Sequence, residues 1–439
     1  MASALRIFMV IPFAWVLDGR QLRGMVRWHA SIRLMPSVTS EIGRLRTVLL
    51  HRPGIELARL TPDNKDALLF DDILWLERAQ EEHDRLAGLL TGRGVEVLYV
   101  RDLLGTTLLD DAVRGSVIDS VVTPAIAGER LSEHLREELR SCDLDRLLDV
   151  LFGGVLRSEL PDWGIDPLSA GLVADGHASV IRPLPNMMFM RDNAAWIQDG
   201  LMFGVLSWPV RRPESLLMSA IYRNHHRFRD LDFPVWYGDQ EFDLFPATVE
   251  GGDVLVIDQR TVLIGSGERT APAAAEALAR RLFAADAVDR VLVAHFPAKR
   301  SMMHLDTIFT MVDVDAVNVF PHVLDEMEVY EVTPGPTGTL HVEATDGLIP
   351  ALESALGRSL RLITTGGDAV GSLREQWDDG NNTLAVAPGI VIAYARNTET
   401  NRRLRQSGIE VLELDASELC RGRGGSRCLT QPVERDAPS

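Results

Sequence analysis

The sequence predicts an α/β fold in which five similar modules stand around one axis, interrupted by an all-helical insertion. Three observations carry this expectation. A short apolar strand, a turn and a second apolar strand recur four times, at 195–206, 253–265, 306–320 and 382–396. A β-α-β unit near the start supplies a fifth module. Residues 101–178, between them, read as helix with few strand signals. Hairpins repeated at intervals, with helix-bearing sequence between them, point to a radial array whose strand ends face a common centre. Residues flanking each hairpin are therefore expected to meet at one shared site.

Residues 1–34 differ from the rest. They hold five arginines (6, 20, 23, 27 and 33) and one acid, Asp18, a net of +4 where the whole chain carries −18, which leaves −22 on the remainder. The apolar run from Ile7 to Leu17 is too short to span a bilayer and contains Pro12. No small-x-small cleavage site follows it, which disfavours an export signal. The segment reads as a disordered extension or an upstream start. Next, Thr47–Leu50 reads as a strand, 51–54 as a turn and about 71–90 as a helix with Leu74, Leu86 and Leu90 in the core. Gly92 and Gly94 end that helix, and 95–100 reads as a second strand. In the insertion, Leu131, Leu135 and Leu139 recur at i, i+4 and i+8, and Leu144, Leu147, Leu148 and Leu151 continue an apolar face. The expected organisation is a basic extension (1–34), the first part of an α/β fold (35–100), a helical insertion (101–178) and the remainder of the α/β fold (179–439).

Composition narrows the function. With 46% hydrophobic and 25% charged residues, the 439-residue chain has material for a large core. A net charge of −18 argues against nucleic acid and anionic membranes as partners and suits a cationic small molecule. Three cysteines (142, 420 and 428) without framework spacing fit a reducing cytoplasm. Cys428 lies in a glycine-rich stretch, R-G-R-G-G-S-R-C-L-T (421–430), among Arg421, Arg423 and Arg427. Nearby cations are expected to favour its thiolate, the nucleophilic form. The alternative is an incidental buried cysteine.

The hairpin flanks hold further polar residues: Asp192 before the first, Glu250 and Asp253 in E-G-G-D before the second, His304 and Asp306 before the third. His304 and Asp306 are read as sharing one face of a strand. Several carboxylates repel one another unless a cation lies between them, and a planar guanidinium matches them bidentately. Cys428 can then attack the guanidinium carbon while His304 moves the protons. Zinc is the competing chemistry, but no second histidine at ligand spacing and no H-E-x-x-H is present.

At this point residues 41–435 resemble the arginine deiminases, of the guanidine-modifying (pentein) superfamily. The resemblance rests on L-H-R-P-G (50–54), L-L-F-D-D-I-L-W (68–75), P-L-P-N-M-M-F-M-R-D (183–192), V-E-G-G-D (249–253), M-H-L-D-T-I-F-T-M-V-D (303–313), R-E-Q-W-D-D-G-N-N-T-L-A (374–385) and R-G-R-G-G-S-R-C (421–428). It implies a five-bladed pseudo-symmetric α/β propeller with an inserted all-helical subdomain. It implies Cys428 as nucleophile, His304 as acid/base, Asp192 and Asp306 as guanidinium-binding carboxylates and Glu250 as catalytic glutamate. Substrate-binding positions fall on Asn186, Phe189, Arg211, Arg269, Asp253 and Arg423. Ser426 and Met190 depart from the family pattern, where proline or glycine, and threonine, are common.

The implied activity is hydrolysis of L-arginine to L-citrulline and ammonia through an amidino-cysteine, with no metal or organic cofactor. Other guanidine-modifying enzymes (agmatine deiminase, dimethylarginine hydrolase, amidinotransferase) are the nearest alternatives. A non-catalytic arginine sensor is another, but it would need neither Cys428 nor His304. The expected partner is the substrate, and a homo-oligomer is compatible with the chain.

Overall fold

Five sheets, each built on a three-stranded unit of one connectivity, form the body of the protein, a computed structural model that describes residues 35–161, 178–238 and 244–438. The basic stretch 1–34, and the expectation placed on it, lies outside the described residues. In each sheet an antiparallel hairpin is followed by a helix-bearing segment that returns a third strand parallel to the hairpin's second strand. The hairpins are Ala194–Ile197 with Gly200–Phe203, Val254–Val256 with Thr261–Ser266, Phe309–Asp313 with Ala316–Val319, and Leu384–Ala387 with Ile390–Tyr394. Their parallel partners are Val235–Tyr237, Arg290–His295, Arg361–Thr364 and Glu410–Leu414.

The fifth module is built from both ends of the described chain. Leu45–Leu50 pairs in parallel with Glu96–Tyr99, the expected β-α-β unit. Its hairpin partner is the far strand Gln431–Arg435, with Leu45 opposite Arg435 and Leu49 opposite Gln431. Local sequence cannot announce a partner almost 400 positions away. This pairing places the Cys428 loop at the end of a blade strand, as the other site residues are.

Three elements differ from expectation. The strand Phe309–Asp313 begins after His304 and Asp306, which instead sit at the start of a 3-10 turn, Leu305–Thr307. The strand-face argument for that pair is therefore wrong, although both side chains reach the site. The second module's sheet gains two further antiparallel strands, Glu328–Pro334 and Leu340–Ala344. The helix expected from about 71 starts at Leu76. The preceding residues are held by other modules: Arg300 donates to the Leu69 carbonyl (2.7 Å) and pairs with Asp71 (3.0 Å), Arg421 pairs with Asp72 (3.3 Å), and the Trp75 N–H donates to Glu418 (2.8 Å).

From Val100 to Gly153 the chain is helical, with caps the sequence supplies. Asp110 accepts from the N–H groups of Ala112 and Val113, and Asp143 from that of Arg146. Leu131, Leu135 and Leu139 are buried as the i, i+4 repeat requires. They share a hydrophobic cluster with Trp196, Met202 and Tyr222 of the first blade, so this stretch braces the blade that carries Asp192.

Candidate active site

Each blade delivers its polar residue from one place, the turn just before the first strand of its hairpin. Asp192 precedes Ala194, Glu250 and Asp253 precede Val254, and His304 and Asp306 precede Phe309. Asn382 precedes Leu384, and Cys428 precedes Gln431. The turns need close backbone approach. A Cβ on Gly252 would lie 2.7 Å from the His304 ring and 3.0 Å from Asp192 Oδ1, which explains the second glycine of E-G-G-D. A Cβ on Gly424 would stand 2.4 Å from the Phe189 ring, so that glycine lets the nucleophile loop lie against Phe189.

On one side of the site, charges are paired. His304 Nε2 lies 2.7 Å from Glu250 Oε2, and its Nδ1 lies 3.6 Å from Asp192 Oδ1. Burial works against the imidazolium, but Asp192 and Glu250 outweigh it and raise the His304 pKa to about 9. Burial likewise opposes the Glu250 charge. Arg269 (Nη1–Oε2 3.3 Å), His304 and Arg211 overcome that and hold the carboxyl well below the usual range. The Ser207 N–H also donates to Glu250 Oε1 (2.9 Å). Asp253 accepts from the Leu305 N–H at 2.8 Å, fixing the turn between His304 and Asp306, and burial pushes its pKa up to about 6.

On the other side lies the thiol. Cys428 is only 3% exposed, with Sγ 3.5 Å from Asp306 Oδ2 and 3.0 Å from Asn382 Nδ2. Asn382 Oδ1 accepts the N–H groups of Cys428 (3.0 Å) and Arg427 (3.1 Å), so one amide holds both the loop and its sulfur. Burial, then Asp306, Asp192 and Asp379, push the thiol well above its ordinary value.

This corrects the expectation that three arginines favour the thiolate. Arg427 turns away into a buried ion triad, with Nη1 2.7 Å from Asp306 and Nε 2.9 Å from Glu41. Arg423 stacks on the Trp377 ring at 3.5 Å and donates to the Trp377 carbonyl. Arg421 pairs at the surface with Asp72. With only the protein's own charges around it, Cys428 is a thiol.

The remaining candidates fall close by. Arg211 is 3% exposed and donates Nη1 to Asp192 Oδ2 (2.9 Å) while Nε and Nη2 grip Glu214 (3.0 and 2.9 Å). Asn186 donates its amide to the Leu68 carbonyl at 2.7 Å, tying the first blade to the 68–75 segment. Phe189 stacks with Phe70 at 6.4 Å. The sequence reading missed Asn382, Glu41, Glu214 and Glu82. Glu82 receives the N–H groups of Ser417, Glu418 and Leu419 and so anchors the start of the nucleophile loop. Asn382 had a signal: it opens the fourth hairpin, where the repeat requires a site residue.

Asp192, Glu250 and His304 converge within 4.8 Å, close enough to hold a metal ion. The two carboxylates already face Arg211 and Arg269, and His304 is protonated at neutral pH, so the donor set is one of ion pairs.

A buried thiol, an imidazolium, several carboxylates and the Asn382 amide, brought together by five equivalent turns, form an anionic site suited to chemistry on a cationic small molecule. The family model for arginine deiminase matches residues 66–435. The arginine deiminase of Rhodococcus opacus is 46% identical over 402 residues, 90% of this chain and 96% of that relative. That of Rhodococcus erythropolis is 45% identical over 412 residues, 93% and 99% of the two chains, and that of Mycobacterium marinum 45% identical over 401 residues, 90% and 97%. The chain belongs to the arginine deiminase family.

Two solved structures share the fold at low identity. An amidinotransferase from Microseira wollei, of the saxitoxin biosynthetic pathway, has a TM-score of 0.52 at 13% identity, covering 92% of this chain and 98% of that one. The N-terminal domain of a cyanobacterial arginine dihydrolase has a TM-score of 0.51 at 14% identity, covering 89% and 98%. Among the described residues no helix is long and apolar enough to cross a membrane.

Proposed function

We propose that the protein hydrolyses L-arginine to L-citrulline and ammonia through an amidino-cysteine at Cys428, working in a reducing cytoplasm. Family membership supports the reaction. The observation that carries the mechanism is the buried Cys428 thiol, held by Asn382 beside Asp306 in an anionic setting that keeps it protonated. A guanidinium entering this site brings the missing positive charge. The thiol then ionises, its proton leaving to solvent, and the sulfur attacks the guanidinium carbon.

His304, an imidazolium at neutral pH, gives its proton to the departing nitrogen, which leaves as ammonia and a cationic amidino-thioether. The now neutral His304 takes a proton from water, and the hydroxide adds to the same carbon. Collapse breaks the C–S bond and returns the thiolate, and loss of the hydroxyl proton to solvent leaves citrulline. Asp192 and Asp306 hold the guanidinium edges, and Glu250 keeps His304 charged and oriented. No group beyond the chain's own side chains is required.

Incubation with arginine tests the reading directly: citrulline and ammonia should form in equal amounts. Agmatine should be a far poorer substrate, because it has no carboxylate to offer Arg211 and Arg269. Absence of citrulline, or equal turnover of agmatine, would overturn the assignment.

A further inference from the structure

Arg211 takes up part of the cradle that the proposed mechanism reserves for the substrate. Its Nη1 donates to Asp192 Oδ2 at 2.9 Å and lies 3.7 Å from Glu250 Oε2, so its guanidinium occupies one of the two carboxylates meant for another guanidinium. The opposite edge of the same group is held by Glu214, through Nε at 3.0 Å and Nη2 at 2.9 Å. All four residues are buried. Asp192 Oδ1, by contrast, is buried with no hydrogen bond and faces His304 Nδ1 at 3.6 Å. A carboxylate with one oxygen taken and one left over cannot clamp an incoming guanidinium by both oxygens until the first is released.

We infer that Arg211 is an internal stand-in for the substrate guanidinium, held between Asp192 and Glu214, and that it makes carboxylate recognition a condition for guanidinium binding. An arginine substrate offers its own α-carboxylate to Nη1 in exchange for Asp192, and the freed Oδ2 then takes the substrate's N–H. A guanidine without a carboxylate must displace Arg211 with nothing to offer it. Selectivity thus arises from competition inside the site as well as from a lost contact. Glu214 is the positioning residue: it shares the Arg211 charge with Asp192 and weakens the hold of Asp192 on it. This deepens the proposed reaction, and the assignment of Asp192 to the guanidinium rests on it.

The test is the binding of methylguanidine, by titration calorimetry, to protein carrying Cys428→Ala so that no turnover intervenes. Arg211→Met should bind it about tenfold or more tightly than the parent, since a charge-assisted competitor has been removed. Removing any nearby cation could raise affinity for another, so Arg269→Met is the control. It deletes an equally buried arginine that contacts Glu250 and not Asp192, and should tighten binding less than about threefold.

Glu214→Gln should act in the opposite direction, weakening methylguanidine about threefold because Arg211 then leans wholly on Asp192. It also raises the KM for arginine in the Cys428 enzyme while changing kcat little. Opposite signs at two buried neighbours cannot come from general loosening, and Glu214→Gln decides the matter alone if Arg211→Met does not fold. Equal tightening in both arginine variants, unchanged binding in Arg211→Met, or tighter binding in Glu214→Gln would overturn the inference. The reaction itself is read separately from citrulline production by the unmodified enzyme, so a wild type that makes citrulline alongside any of these results loses only the Arg211 stand-in.

Discussion

The two halves of the site solve opposite electrostatic problems. Around His304, two carboxylates meet two arginines and an imidazole, each charge has a partner, and the imidazole is cationic at neutral pH. Around Cys428, the charged group in contact with the sulfur is Asp306, whose own cation Arg427 is shared with Glu41, and the sulfur stays protonated. In the proposed mechanism the acid is therefore ready beforehand, whereas the nucleophile waits. That difference would make activation depend on the substrate's charge, with a reactive thiolate formed only when a guanidinium is there to receive it.

The comparison breaks most severely at the sulfur. Cys428→Ser should make no measurable citrulline from arginine, because a hydroxyl gains too little acidity from an arriving guanidinium. Detectable turnover would remove the covalent route. Asn382→Ala removes the amide that holds the sulfur and two backbone N–H groups. It should cost about a hundredfold in kcat with a modest change in KM, the usual result of misplacing a reacting atom by an ångström. An unchanged kcat would show that the loop positions Cys428 without it.

The charged half can be probed by pH. Asp192 and Glu250 raise the folded His304 pKa from 6.5 to about 9, so kcat should fall on the alkaline side near pH 9. The charged pair contributes stability fully below pH 6.5, and that contribution is lost as pH rises through about 9. Glu250→Gln removes one of the stabilising charges, so its alkaline limb should move to lower pH. A limb that stays in place would mean that another group sets it.

The smallest expected effect on catalysis is at Glu41, the outer member of the buried triad. Burial raises its pKa, but Arg427 and Arg191 outweigh this and lower it to about 2. The pair therefore stabilises the fold above pH 4.5, and that stability is lost as pH falls through about 2. Glu41→Gln should cost about 3–5 kcal/mol in chemical denaturation, since it leaves Arg427 short of a partner. It should cost less than about tenfold in kcat/KM, as Arg427 still holds Asp306. A larger kinetic than stability effect would place Glu41 in the reaction.

The four hairpins were legible because each is a pair of apolar runs around a turn, and the leucine repeat of the helical stretch survives in its packing. The site residues were legible where they combined a reactive type with a hairpin flank. Asn382 was passed over because a lone asparagine in N-N-T looks like turn chemistry, although its place in the repeat matched that of Asp192. The roles of the arginines were not legible. Whether Arg427 faces the thiol or Glu41 depends on contacts across 386 positions, and the partner of the 45–50 strand is as remote. Chain proximity placed Arg421, Arg423 and Arg427 near Cys428 in sequence, while the fold turned each charge elsewhere.

The central claim, that Cys428 ionises in response to the substrate's charge, is open to one direct measurement. Ultraviolet thiolate absorbance is followed against pH in the wild type and subtracted from that of Cys428→Ser, which cancels Cys142 and Cys420. The difference is then repeated with saturating methylguanidine. Without the guanidine the Cys428 thiolate should appear only above the ordinary thiol value of 9.0, as burial and the neighbouring carboxylates require. With the guanidine the titration should move to lower pH. A thiolate already present at neutral pH without it, or a titration that the guanidine leaves in place, would contradict the account.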